Sequence, residues 1–182
     1  MGFRDEIADD GKGGWFDQGE NDFALMPLGT ITAAGVPFRV IDPAANGGRS
    51  VIILRGQSRP GFPAEVRGLP VNRKADRLYF LHTCGWNPKP GERVLSYFVH
   101  YEDGTKEEIP IHNGNEISGW WGGLADSAKI AVESSNPFCS SIRLYCYCWQ
   151  NPHPEKPIRS LDAVSASGAG VPAIVAVTTE TR

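Results

Sequence analysis

The chain has 182 residues, 41% hydrophobic and 21% charged, with a formal net charge of −3. That length supports one domain with a sizeable core, and the weakly acidic balance gives no electrostatic case for a nucleic acid or an anionic membrane as partner. The 21 glycines and 14 prolines suit many short strands joined by turns.

Residues 1–14 are polar and glycine-rich and read as a flexible lead-in to a domain over 15–182. They contain no apolar signal-peptide core, and Glu6 stands where myristoylation needs Ser or Thr. The longest apolar run, near Val171–Val177, is far short of a membrane span. Gly14–Phe23 reads as an irregular loop. Its Asp17, Asn21 and Asp22, beside Glu20, offer hard oxygen ligands and form a candidate calcium site. The loop does not follow the EF-hand pattern, and the competing reading is a turn held by Asx hydrogen bonds.

Pro37–Ile41 and Ser50–Arg55 read as strands joined through an Asp-Pro and Asn-Gly-Gly turn region. A Pro/Gly loop covers Gln57–Ala64. Glu65–Val71 and Leu78–Cys84 follow as strands around a charged turn at 73–76. Next comes a hairpin. Leu95, Tyr97, Val99 and Tyr101 fall on one face and Val94, Ser96, Phe98 and His100 on the other. Asp103-Gly104 predicts a two-residue turn with positive φ. Beyond it, Ile109 and Ile111 alternate with Glu108, Pro110 and His112. Ala128–Glu133, Ile142–Trp149, Pro157–Ser165 and Val171–Thr179 supply the remaining strands. The count is about ten strands with no amphipathic helix, and the turn spacing favours an all-β antiparallel sandwich over a βαβ fold.

Cys84, Cys139, Cys146 and Cys148 form no CxxC pair, which argues against zinc or thioredoxin-like chemistry. Buried free thiols are expected, with a disulfide as the open alternative.

The strings YFLHTCGW (79–86), VHYEDGTKEEIPI (99–111), Trp120-Trp121 and WQNPHPEKPIRSLDAVSA (149–166) resemble a β-sandwich module of bacterial multimodular carbohydrate-active proteins. That group is similar to galactose-binding-like jelly rolls. The resemblance implies a jelly-roll β-sandwich that binds a polysaccharide or oligosaccharide without catalysis. It also implies fusion to or association with a carbohydrate-active enzyme, an extracellular or periplasmic setting within a larger protein, and in some cases a structural calcium ion.

The residues support the same expectation on chemical grounds. Sugar rings present apolar faces that stack on indoles, and amides, carboxylates and imidazoles bond their hydroxyls. The candidate sugar-binding set is Trp86, Trp120 and Trp121 in Gly-rich loops, with His112, Asn113 and Glu116 to orient the ring. The competing reading makes these tryptophans plugs at the ends of the sandwich. Adjacent residues of an extended chain point opposite ways, so one of Trp120 and Trp121 is expected inside. The stripe Arg143, Tyr145, Tyr147, Trp149 is either a sugar-binding face or a buried one, and burial is the preferred reading.

Catalytic patterns are weak. His82, His100, His112 and His153 form no HxH or HExxH, and the spacing of Glu107, Glu108, Glu116 and Glu133 sets no carboxylate separation. A non-catalytic module is therefore expected. A structural or protein-interaction sandwich and a small glycan-active enzyme are the alternatives.

Overall fold

The computed structural model describes residues 1–181. Eleven strands appear in chain order: β1 Gly29–Ala33, β2 Val36–Val40, β3 Ile52–Ile53, β4 Glu65–Arg73, β5 Arg77–Gly85, β6 Arg93–Tyr101, β7 Lys106–His112, β8 Ala128–Asn136, β9 Cys139–Gln150, β10 Ile158–Ser165 and β11 Val171–Glu180. A single 3-10 turn, Pro43–Ala45, is capped by Asp42, whose carboxylate accepts the Ala44 N–H. Among the described residues no helix is long and apolar enough to cross a membrane.

The strands pair antiparallel in two main sheets, ordered β4-β10-β6-β7 and β3-β11-β5-β9-β8. The result is an all-β antiparallel sandwich of the jelly-roll class. The alternation read in the sequence selects the packed faces. Leu95, Tyr97, Val99 and Tyr101 of β6 and Ile109 and Ile111 of β7 are buried against the second sheet. From that sheet Leu78, Phe80 and Cys84 of β5 point into the same core. Phe80 and Tyr97 stack across it with ring centroids 4.1 Å apart.

The five-stranded sheet is covered on its other face as well. Leu81, Ile142, Leu144 and Ala173 pack there against Trp15, Phe16, Phe23 and Phe38, which come from the N-terminal segment and from the β1-β2 hairpin. The molecule therefore has three layers. The first fourteen residues, read from sequence as a lead-in, belong to the third. Phe3 is buried in that core, Asp5 is buried, and the Met1 carbonyl accepts the N–H groups of Ser50 and Val51. Their polar composition conceals this, because one aromatic ring does most of the packing.

Three further details differ from the sequence reading. β1 is an extra strand that pairs with β2 from Gly29↔Val40 to Ala33↔Val36. Its burial pattern is exposed at three of five positions, so it carries little hydrophobic signal. The strand expected over 50–55 is only the two-residue β3. The hairpin turn is longer than two residues. Gly104 alone has positive φ, Gly104 N–H donates to Tyr101 O, and Tyr101 N–H donates to Thr105 O. A type I turn followed by a left-handed glycine accounts for this. Asp103 accepts from Thr105 N–H and its hydroxyl and pairs with Lys156, so its side chain stabilises the longer loop.

The aromatic stripe of β9 is turned inward, as preferred. Tyr145 is fully buried, while Tyr147 and Trp149 pack partly against the inter-sheet core. All four cysteines are free thiols.

His82 sits wholly inside the inter-sheet core. One ring nitrogen, Nε2, lies 3.0 Å from the Glu116 carbonyl, which can only accept. Nε2 therefore carries the proton, and Nδ1 accepts from the Tyr97 hydroxyl 3.0 Å away. The neutral ring satisfies both partners, and burial pushes its pKa down to about 4. The unfolded chain binds a proton more readily over that window, so stability falls as pH drops from the ordinary histidine range toward 4. Urea unfolding at pH 7 and near pH 4 should show a loss of about 3 kcal/mol from this group. His82→Gln, which keeps a donor toward Glu116 but cannot titrate, should flatten that slope. An unchanged slope would place the acid sensitivity elsewhere.

Candidate functional site

The site lies where β5 ends. Gly85 closes the strand and Trp86 follows in the left-handed region, at φ 49°. Such a conformation is uncommon for a bulky residue and needs support from its surroundings. Arg59 supplies it. Its guanidinium carbon lies 4.6 Å from the centroid of the Trp86 ring. Its Nε and Nη2 donate to the carbonyls of Phe16 and Asp17 at 2.6 and 2.9 Å, and it pairs with Asp9 at 2.9 Å. Phe16 meets Trp86 edge-on at 5.9 Å. One arginine thus ties the N-terminal layer to the loop that carries Trp86.

The double tryptophan runs alongside. Cys84 N–H donates to Ser118 O, and Trp120 N–H donates to Cys84 O, a short parallel bridge that continues β5. Arg143 N–H then donates to Trp120 O from β9. Held between two strands, the pair divides as the alternation requires. Trp120 is 4% exposed, edge-on to Trp15 at 5.6 Å and tilted against Phe16 at 5.8 Å. Trp121 is 52% exposed. Gly119 leaves room for the Asn87 side chain, which a Cβ at this position would have to displace.

Between these loops is a pocket of about 290 Å³ lined by Gln18, Cys84, Trp86, Asn87, Gly119, Trp120 and Trp121. All three expected tryptophans border it. Cys84 forms part of its wall as a neutral thiol, because burial pushes its pKa up to about 12. Asn87 accepts weakly from the Cys84 thiol through Oδ1 at 3.4 Å. Among the described residues, neither Nδ2 of Asn87 nor the side-chain amide of Gln18 has a protein partner. The pocket thus combines indole surface with the Nδ2 of Asn87 and the amide of Gln18.

The expected polar set lies elsewhere. Glu116 accepts from His112 N–H and Nδ1 through one carboxylate oxygen and from Asn115 through the other. Asn113 is buried and donates to Pro88 O at 2.6 Å. None of His112, Asn113 and Glu116 lines the pocket. They shape the turn after β7 and brace the loop behind Asn87. Gln18, Asn87 and Arg59 were not singled out in the sequence. Asn87 directly follows Trp86, whereas long-range loop contacts bring Gln18 and Arg59 to the tryptophans, and no local pattern encodes those contacts.

The oxygen-rich loop is engaged internally. Asp22 accepts the N–H groups of Asp5 and Ala24, Asp17 accepts that of Gly11, and Asn21 accepts from the Asn136 amide. The Oδ1 atom of Asp17 is buried without a hydrogen-bond partner. Among the described residues no group of three or more His, Cys, Asp or Glu side chains could hold a metal ion. Asp17 and Asp22 cap backbone N–H groups, and Asn21 bonds the Asn136 side chain.

The histidines and glutamates meet at separate places: His112 bonds Glu116, and His153 lies 3.4 Å from Glu107. His100 bonds Asp162 on the outer face of the four-stranded sheet, Glu108 pairs with Arg93, and Glu133 pairs with Arg143. Compared with protein-family models and with curated proteins, the chain matches none.

The two adjacent tryptophans should separate cleanly by mutation. Trp120→Ala removes a buried ring from an aromatic cluster and should cost about 3–5 kcal/mol in chemical denaturation. Trp121→Ala removes an exposed ring and should change stability by no more than about 0.5 kcal/mol. Equal effects would contradict this placement.

Proposed function

We propose that this chain is a non-catalytic carbohydrate-binding module that receives one sugar ring in the pocket between Trp86 and Trp121. The observation that carries the reading is that pocket, with indole walls, a half-exposed Trp121, and an Asn87 Nδ2 and a Gln18 amide that have no protein partner among the described residues. Its volume of about 290 Å³ stands at the low end of small-ligand sites, which run from about 300 to 1,000 Å³. Trp121 stacks on the apolar face of the ring, and Asn87 and Gln18 bond its hydroxyls. Arg59 and Phe16 touch Trp86 but do not line the pocket, so they hold the ring from behind. Rigid aromatic walls reduce the entropy lost on binding.

In this reading the module brings an attached carbohydrate-active enzyme to a polysaccharide outside the cytoplasm and does no chemistry itself. Its supports are the inert Cys84 thiol beside the pocket and the ion-paired Glu108 and Glu133 away from it.

Affinity electrophoresis on a panel of plant, algal and bacterial polysaccharides tests the proposal. Retardation on at least one glycan is expected. Trp121→Ala should weaken it about tenfold or more, and Asn87→Ala should weaken it less, both at unchanged melting temperature. An unretarded wild-type protein on every glycan would sink the reading. Reducing-sugar release from the same panel would move it to the enzymes.

A further inference from the structure

The open side of the sandwich carries a second and larger groove of about 1140 Å³. Two sheet edges face it. The four-stranded sheet ends there in β4 and the five-stranded sheet in β3. β3 pairs with β11 only at Ala173 and Ile174, whereas β5 pairs with β11 as far as Glu180. From Ala176 to Thr179, β11 therefore has one edge with no strand partner among the described residues.

The two edges differ in chemistry. β4 has Pro70, the two register shifts of its pairing with β10, and Gly68 and Asn72 at positive φ. These are the usual devices that stop an edge from accepting another strand. The stretch Ala176-Val177-Thr178-Thr179 has no proline and no positive φ, the register shift of β11 against β5 lies before it, between Ile174 and Ala176, and its residues suit a strand. It is an edge left able to pair.

The groove beside it has an aliphatic lining that includes Ile52, Ile53, Val66, Leu69, Val71 and Val177. Arg39, Arg49 and Arg73 also line it, and all three are exposed. None of them makes an ion pair among the described residues, and no Asp or Glu lines the groove. The volume exceeds the usual range for compact small-molecule ligands and suits an elongated one.

We propose that this groove binds an extended peptide segment with alternating apolar and acidic residues, added as a strand to the free edge of β11. Backbone hydrogen bonds to the edge give it its register. Every second side chain enters the aliphatic floor, and the acidic residues between them meet Arg39, Arg49 and Arg73. Four edge residues at about 3.3 Å each pair a segment of four to six residues. This site is separate from the tryptophan pocket and does not depend on sugar binding.

The test uses the full chain and two fluorescein-labelled peptides of about ten residues, one alternating Val and Glu and the other Val and Lys. Fluorescence anisotropy should show binding of the Glu peptide and at least about tenfold weaker binding of the Lys peptide. The double variant R39E/R73E should reverse that preference. The milder pair R39Q/R73Q should weaken the Glu peptide, and it serves if the reversal variant misfolds. Amide hydrogen exchange should slow over Val177–Thr179 when the Glu peptide is bound. Equal binding of both peptides, or binding of neither, would overturn the proposal. Binding of sodium laurate without either peptide would overturn it in favour of a lipid-like anion.

Discussion

The structure depends on covering the second face of the five-stranded sheet. Strand β5 has Leu78, Phe80 and Cys84 on one side and Leu81 on the other, all fully buried. A sheet that is apolar on both faces needs a layer on each. The four-stranded sheet covers one. The other is covered by Trp15, Phe16, Phe23 and Phe38, each contributing about 2–3 kcal/mol by leaving water. The segment before β1 has no regular structure of its own, so its backbone donors need other acceptors. Asp5, Asp17 and Asp22 accept from Gly19, Gly11, Asp5 and Ala24. The acidic composition of this loop is the means by which an irregular chain lies on an apolar sheet.

The tryptophan pocket is a product of that layer. Trp120 is an internal member of the aromatic cluster, and its burial turns Trp121 outward. Arg59 bridges the carbonyls of Phe16 and Asp17 to the Trp86 ring, so the pocket walls come from three distant parts of the chain. Packing in the third layer and shape at the surface are thus mechanically linked. A pocket wall fixed from beneath in this way is pre-organised, which is what the proposed sugar site would need.

The opposite side of the sandwich is less complete. There the third layer reaches β11 through the β2 hairpin, where Thr178 donates to Pro37 O, but among the described residues no strand continues β3 along the sheet edge. The two sheets protect their edges unequally, and the arginines around the gap have no acidic neighbours in the groove. An edge with an aliphatic floor and unmatched positive charge favours an extended anionic partner over a second copy of the same surface, which would bring like charges together.

Much of the sandwich was legible in the residues. Period-two alternation in β6 and β7 selected Leu95, Tyr97, Val99, Tyr101, Ile109 and Ile111 for the core, because strand geometry alone sends alternate side chains to opposite faces. The same rule separated Trp120 from Trp121, while the Gly, Asn, Lys and Pro around Trp86 marked it as a loop residue. What stayed hidden is what depends on contacts between distant segments. Phe3 and Trp15 sit in polar sequence, and only the apolar sheet beneath them makes them core. His112, Asn113 and Glu116 looked free in the sequence, but His112 and Glu116 bond each other and Asn113 bonds the Pro88 carbonyl once the turn closes. Gln18 and Arg59 carry no local signal, and only tertiary packing brings Gln18 into the pocket and Arg59 behind Trp86. Local periodicity determined which face each strand buries; the long-range closure of loops decided which polar groups remain available to a ligand.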